Sequence, residues 1–131
     1  MVVNAAFMVL YFCGFALFSL SIALQVLDCQ QGSMFYEVGA GKGFTCTGLA
    51  AYSTVRWEVN SGIRAAACTP DGTCSTDSEG LFQASREGGS SAGGSSSIRI
   101  LSTAQERTLT AISCIENETK RAQCQINVIR D

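Results

Sequence analysis

Seven cysteines in 131 residues, with no histidine beside them, constrain this chain more than any other feature. Six of them (Cys29, Cys46, Cys68, Cys74, Cys114 and Cys124) follow an apolar N-terminal segment, and the seventh, Cys13, lies inside it. A small domain buries proportionally little surface, so covalent staples matter to it. An even set of cysteines in a short chain bound for an oxidising compartment reads as three disulfides, and cysteine count alone does not fix their connectivity. Zinc is the other use for such a set, but it favours closely spaced cysteine pairs with matching cysteine or histidine partners. The C-x5-C at 68–74 has neither. No metal or other cofactor is expected.

The N-terminal segment is an address. Residues 1–27 carry no charged side chain, and the first is Asp28. The run from Phe7 to Ala23, FMVLYFCGFALFSLSIA, is apolar all round a helix, which a soluble domain cannot leave exposed. Ser21 and Ala23 are small residues at the −3 and −1 positions of a cleavage site after Ala23, so the segment reads as a signal peptide. Against this, MVVNAA lacks a Lys or Arg, and the run approaches the lower length limit for crossing a bilayer. An uncleaved anchor is therefore the alternative. The division is 1–23 for the leader and 24–131 for one domain. Cleavage removes Cys13 and leaves six cysteines. The expected location is secreted, or on the outer side of the plasma membrane, with membrane contact only if the leader is retained.

Charge narrows the function classes. A net charge of −2 supplies no basic footprint for nucleic acid. Without histidine, Ser-His-Asp and Cys-His catalysis are both excluded. Asp71, Asp77 and Glu79 lie in or near a loop and read as solvated charges. Carboxylates become an acid–base pair only in a cleft that perturbs their pKa. A nucleophilic cysteine needs a free thiol and an activating base, and these cysteines are better used as bridges. The chain is not expected to be an enzyme.

Beyond residue 27 short apolar runs alternate with turn residues, the pattern of an all-β domain. Gly43 to Thr47 reads as a strand. So does Val55 to Val59, with Val55, Trp57 and Val59 inward and Arg56 and Glu58 toward water. Asn60-Ser61-Gly62 supplies a turn, and Ser97 to Leu101 another half-buried strand. Leu109 to Ile115 and Ala122 to Ile129 form a final hairpin around Glu116 to Lys120. GGSSAGGSSS, residues 88–97, has the composition of a flexible linker and reads as a mobile surface loop. Pro70-Asp71-Gly72 is a turn, because proline presets φ and glycine accepts positive φ. It brings Cys68 and Cys74 together as a plausible local bridge.

Cys46, Trp57 eleven residues later, and Cys114 near the end of a penultimate strand resemble the immunoglobulin-like domain. SSSIRILSTAQERTLTAISCIEN is similar to that family's E-strand, turn and F-strand passage, and the likeness runs from about Cys29 to Val128. The resemblance implies an antiparallel β-sandwich of variable or intermediate type. It implies a Cys46–Cys114 bridge between the sheets, with Trp57 packed against it. Cys29 at the start of strand A and Cys124 on strand G would pair, although either could pair elsewhere. Further cysteines of this kind resemble those of invertebrate immunoglobulin-like surface proteins. The tyrosine usual two residues before the second cysteine is Ile112 here, which can fill the core without the tyrosine's hydrogen bond. Thr108 and Thr110 stand where an aspartate and a glycine are usual. The stretch from Trp57 to Ile98 leaves room for C′ and further strands. Closing the Cys46–Cys114 loop contributes about 4 kcal/mol on the chain-entropy model, and the short Cys68–Cys74 loop roughly half that.

Two features point to contact with other molecules. Asn117-Glu118-Thr119 is an N-glycosylation sequon at a hairpin tip. Arg56, Glu58, Gln125 and Asn127 would form a polar recognition face, or merely the wet side of a sheet. Lys120 and Arg121 are too few for a heparin or membrane patch. The resemblance implies an extracellular recognition or adhesion module that binds a protein or glycan through loops and the GFC sheet face. The alternative is a structural spacer or adhesion domain of a longer cell-surface receptor.

Overall fold

The computed structural model describes residues 23–60, 62–78 and 80–129. The leader through residue 22, with Cys13 and Ser21, lies outside the described residues, as do Ser61, Glu79, Arg130 and Asp131. In chain order the elements are β1 (Gln25–Val26), β2 (Ser33–Glu37), β3 (Gly43–Leu49), β4 (Val55–Val59), β5 (Ile63–Cys68) and β6 (Cys74–Thr76). After them come β7 (Phe82–Glu87), β8 (Gly94–Ile100), α1 (Thr103–Arg107), β9 (Ala111–Glu116) and β10 (Lys120–Ile129). They form a β-sandwich with sheet orders β1-β3-β8-β7 and β2-β10-β9-β4-β5-β6. Of these neighbours only β2 and β10 run parallel.

Alternation builds the core. Val55, Trp57 and Val59 of β4 face inward with Ile112 and Cys114 of β9 and Cys124 and Ile126 of β10. Phe44, Cys46 and Leu49 of β3, Ile98 and Ile100 of β8, and Phe82 of β7 meet them from the other sheet. Cys46–Cys114 joins the two sheets, with 6.4 Å between Cα atoms, and Trp57 lies in register beside Cys114. Cys68 and Cys74 face each other across β5 and β6 and are bonded. The third disulfide is Cys29–Cys124. Cys29 lies between β1 and β2, where the chain leaves one sheet for the other, rather than at the start of a strand. That crossing bends through positive φ at Asp28, Gln31 and Gly32, and the disulfide pins it to β10.

The serine-rich run departs from its linker reading. Gly94 to Ser97 belong to β8, and Ser96 is buried against the only tryptophan. Its hydroxyl accepts from Trp57 Nε1 at 3.0 Å and donates to the Ser85 carbonyl at 2.7 Å. A small polar residue is required there because the bulky indole fills the space and leaves its N–H buried. Gly89 has a steric reason too: a Cβ there would sit 1.8 Å from the Pro70 carbonyl oxygen, so the turn at 88–93 packs against the turn at 69–73.

At the opposite end Tyr36 stacks on Phe44, with ring centroids 5.2 Å apart, and its hydroxyl donates to the buried carboxylate of Glu106 in α1. Burial first, then this hydrogen bond and the carboxylate's charge, push the phenol well above its ordinary range. Ile112 is fully buried in the core. Asn60 braces the approach to β9, accepting from the Thr110 N–H at 2.7 Å and donating to the Thr108 carbonyl at 3.2 Å.

Candidate functional site

The six-stranded sheet buries one face and leaves the other open. Strand register defines the rows on the open face. Ser33, Gln125 and Ala111 form one row, and Phe35 lies beside Asn127 in the next. Gln123, Ser113, Glu58 and Arg64 form a third, and Arg121, Ile115, Arg56 and Ala67 a fourth. Two kinds of surface result.

On the β9–β4 side the charges are spent on one another. Glu58 was expected to face water, yet only 6% of its surface is exposed. It is clamped by Arg56 Nη2 at 3.0 Å and Arg121 Nη1 at 3.1 Å, and Arg56 also pairs with Glu118. The register explains this: Arg56 and Arg121 both lie beside Ile115, so their stems cover it while their guanidinium groups meet over Glu58. Ile115 is accordingly buried on what is formally the outer face. Arg56 and Glu58 therefore lie in one ion-pair network with Arg121 and Glu118 on this face. Beneath it the Ser113 hydroxyl is buried with no hydrogen-bond partner.

On the β2–β10 side the face is open, its outward positions mostly uncharged, with Glu37 beside Ile129 at its end. Gln123, Gln125 and Asn127 project outward, Ile129 is half exposed, and Phe35 is 74% exposed. β2 is the edge strand. Its ends are self-satisfied, by the Gln30–Ser33 backbone pair and by the Ala40 N–H on the Glu37 carbonyl, which guards it against open-ended strand pairing. A shallow depression beside it is lined by Met34, Phe35, Glu37, Lys42 and Ile129. Gln125 and Asn127, named from the sequence, thus sit together with Phe35, while Arg56 and Glu58 belong to the ion-pair network.

Phe35 is missed by periodicity because Met34, Phe35 and Tyr36 form an apolar run without alternation. The available signal is that two adjacent aromatics in a strand point to opposite faces. Tyr36 takes the inside.

The loop end is the second candidate. The β3–β4 loop, residues 50–54, is fastened from several directions. The Ala50 N–H donates to Glu116 Oε2 (3.3 Å), Tyr52 N–H to the Gly89 carbonyl (2.7 Å), and Thr54 N–H to Asn117 Oδ1 (2.9 Å). Arg86 donates to the Ser53 carbonyl (3.0 Å) and hydroxyl (3.2 Å). Arg86 and Glu116 are both buried, and desolvation lowers the Arg86 pKa while the Glu116 charge opposes the shift. Tyr52 is held at φ 58° with 72% of its surface exposed.

The β9–β10 connection is shorter than the sequence suggests. Asn117 and Glu118, both at positive φ, make a two-residue hairpin turn closed by the Thr119 N–H on the Glu116 carbonyl at 3.0 Å. Asp71 caps its own turn: the Thr69 hydroxyl and then the Thr73 backbone N–H hold its carboxyl below the usual range. Asp77 pairs with Arg64 at 3.0 Å. Among the described residues no three His, Cys, Asp or Glu side chains converge as a metal site, and no helix is long and apolar enough to cross a membrane. Neither a family model nor a curated protein sequence matches the chain.

Proposed function

We propose that this chain is an extracellular recognition or adhesion module of the immunoglobulin-like, variable type, binding a protein or glycan through the open sheet face around Phe35. The strand orders support the fold reading. In the family's lettering they read A-B-E-D and A′-G-F-C-C′-C″, with extra strands beside G, F and C as in variable-type domains. Three intramolecular disulfides fit an oxidising, extracellular setting.

The observation that carries the binding reading is Phe35 itself, 74% exposed among the outward amides of Gln123, Gln125 and Asn127. A rigid aromatic anchor flanked on one side by adaptable hydrogen-bonding groups suits a recognition surface. Exposure of the phenyl ring gains nothing for the fold, and covering it by a partner is worth about 1.5–3 kcal/mol. The test is staining of intact cells and of extracellular-protein and glycan arrays by fluorescent multimers of the chain. Phe35→Ser should weaken binding by about 30-fold and Asn127→Ala should weaken it too, while circular dichroism and Tm stay at wild-type values. Undiminished binding by both variants would refute the site.

A further inference from the structure

Asn117 and Tyr52 belong to different loops, and the structure ties those loops together. Asn117 Oδ1 accepts from the Thr54 N–H at 2.9 Å and from Thr54 Oγ1 at 3.3 Å, while the Asn117 N–H donates to the Thr54 carbonyl at 3.0 Å. Tyr52 lies two residues before Thr54, its backbone fixed on Gly89 and its ring in solvent. Asn117 opens the sequon Asn117-Glu118-Thr119, and all three residues are exposed. Glycan attachment uses Nδ2 and keeps the Oδ1 carbonyl, so the bonds by which Asn117 holds the β3–β4 loop survive modification. Tyr52, by contrast, is unexplained by the fold. A non-glycine residue in the left-handed region costs about 1–2 kcal/mol, and the exposed ring returns nothing to the bare protein.

We propose that Asn117 carries an N-linked glycan and that the ring of Tyr52 is the platform for its first sugar. The donor is a lipid-pyrophosphate-linked oligosaccharide of the secretory pathway. The bond from Nδ2 to C1 of its first N-acetylglucosamine forms as the C1–O bond breaks. The lipid pyrophosphate leaves with the electron pair, and Nδ2 gives up one proton. The apolar C–H face of the sugar then covers the tyrosine ring. The glycan shields the loop end and leaves the surface around Phe35 clear. This inference rests on the extracellular reading above and not on the identity of any partner.

The experiment compares wild type, Thr119→Ala, Tyr52→Ser and the double variant, secreted from eukaryotic cells. Intact mass is taken before and after peptide-N-glycosidase treatment, and Tm is measured for each form. The wild type should carry a glycan that the enzyme removes, and Thr119→Ala should carry none. Tyr52→Ser should lower Tm by several degrees in the glycosylated protein. It should leave Tm unchanged or slightly higher after deglycosylation and in the Thr119→Ala background. A secreted, fully oxidised wild type with bare Asn117 overturns the site, and an equal effect of Tyr52→Ser in both backgrounds overturns the platform. Free thiols and retention in the cytosol overturn the extracellular reading on which both stand.

Discussion

Replacing Ser96 by alanine removes one oxygen atom from a serine-rich run that by composition ought to tolerate it. The structure assigns that oxygen two buried jobs: acceptor for Trp57 Nε1 at 3.0 Å and donor to the Ser85 carbonyl at 2.7 Å. No water can take its place at a residue whose surroundings are closed, with Ser96 and Trp57 both buried. A buried donor left unsatisfied costs about 1–3 kcal/mol, and the carbonyl adds a further lost bond of about 1 kcal/mol. The expected loss is about 2–3 kcal/mol, or roughly 10–20 °C in Tm for a domain of this size. Ser97→Ala is the internal control, because its hydroxyl meets Thr45 Oγ1 at 3.0 Å on a half-buried face and should cost under about 1 kcal/mol. Equilibrium unfolding in guanidinium chloride with disulfides intact, followed by the fluorescence of the single tryptophan, measures both. A Ser96→Ala protein within about 0.5 kcal/mol of wild type, or no worse than Ser97→Ala, would refute the reasoning.

Three other outcomes follow from the geometry. Glu118→Gly should raise stability by about 0.5–1 kcal/mol, because relief at φ 62° outweighs loss of an exposed ion pair with Arg56; chemical denaturation reads it directly. Arg86→Met should cost about 3–5 kcal/mol, since it strands the Ser53 carbonyl and leaves the buried Glu116 carboxylate without its positive neighbour; the same assay checks it. Tyr36 keeps its proton in the fold far above the pH at which an unfolded phenol, near pH ~10, releases it. Its contribution is therefore whole below about pH 10 and is lost as pH rises beyond. Tyr36→Phe should be less stable at neutral pH, with Glu106 losing the phenol and keeping only the Gly39 N–H among these donors, yet show a shallower loss of Tm between pH 9 and 11 on the order of the phenol's share.

What could be read from the sequence depended on whether local pattern and tertiary role agreed. β4 is legible because Val-Arg-Trp-Glu-Val alternates, and the sheet it joins buries one face. The all-β class is legible for similar reasons, whereas the number of disulfides comes from the even cysteine count beyond the leader and not from local pattern. β8 is partly hidden: glycine and serine signal a linker by composition, and only the indole across the core makes a serine the right residue. β1, β2, β6 and β7 are too short or too irregular in pattern to stand out. Glu58 illustrates another limit. Alternation correctly puts it on the outer face, but register alone places two arginines beside it and converts an exposed carboxylate into a buried one. The site around Phe35 depends on β2 crossing to lie beside β10, a long-range pairing that no local periodicity encodes.

On the proposed function, the open sheet face and not the loop end recognises the partner. Multimers of wild type, Phe35→Ser and Tyr52→Ser, titrated on the same cells or arrayed ligands, test it most directly. Phe35→Ser should weaken binding by about 30-fold, equivalent to about 2 kcal/mol, while Tyr52→Ser should change it by less than about threefold. The reverse ranking, with Tyr52→Ser crippling and Phe35→Ser silent, would contradict it.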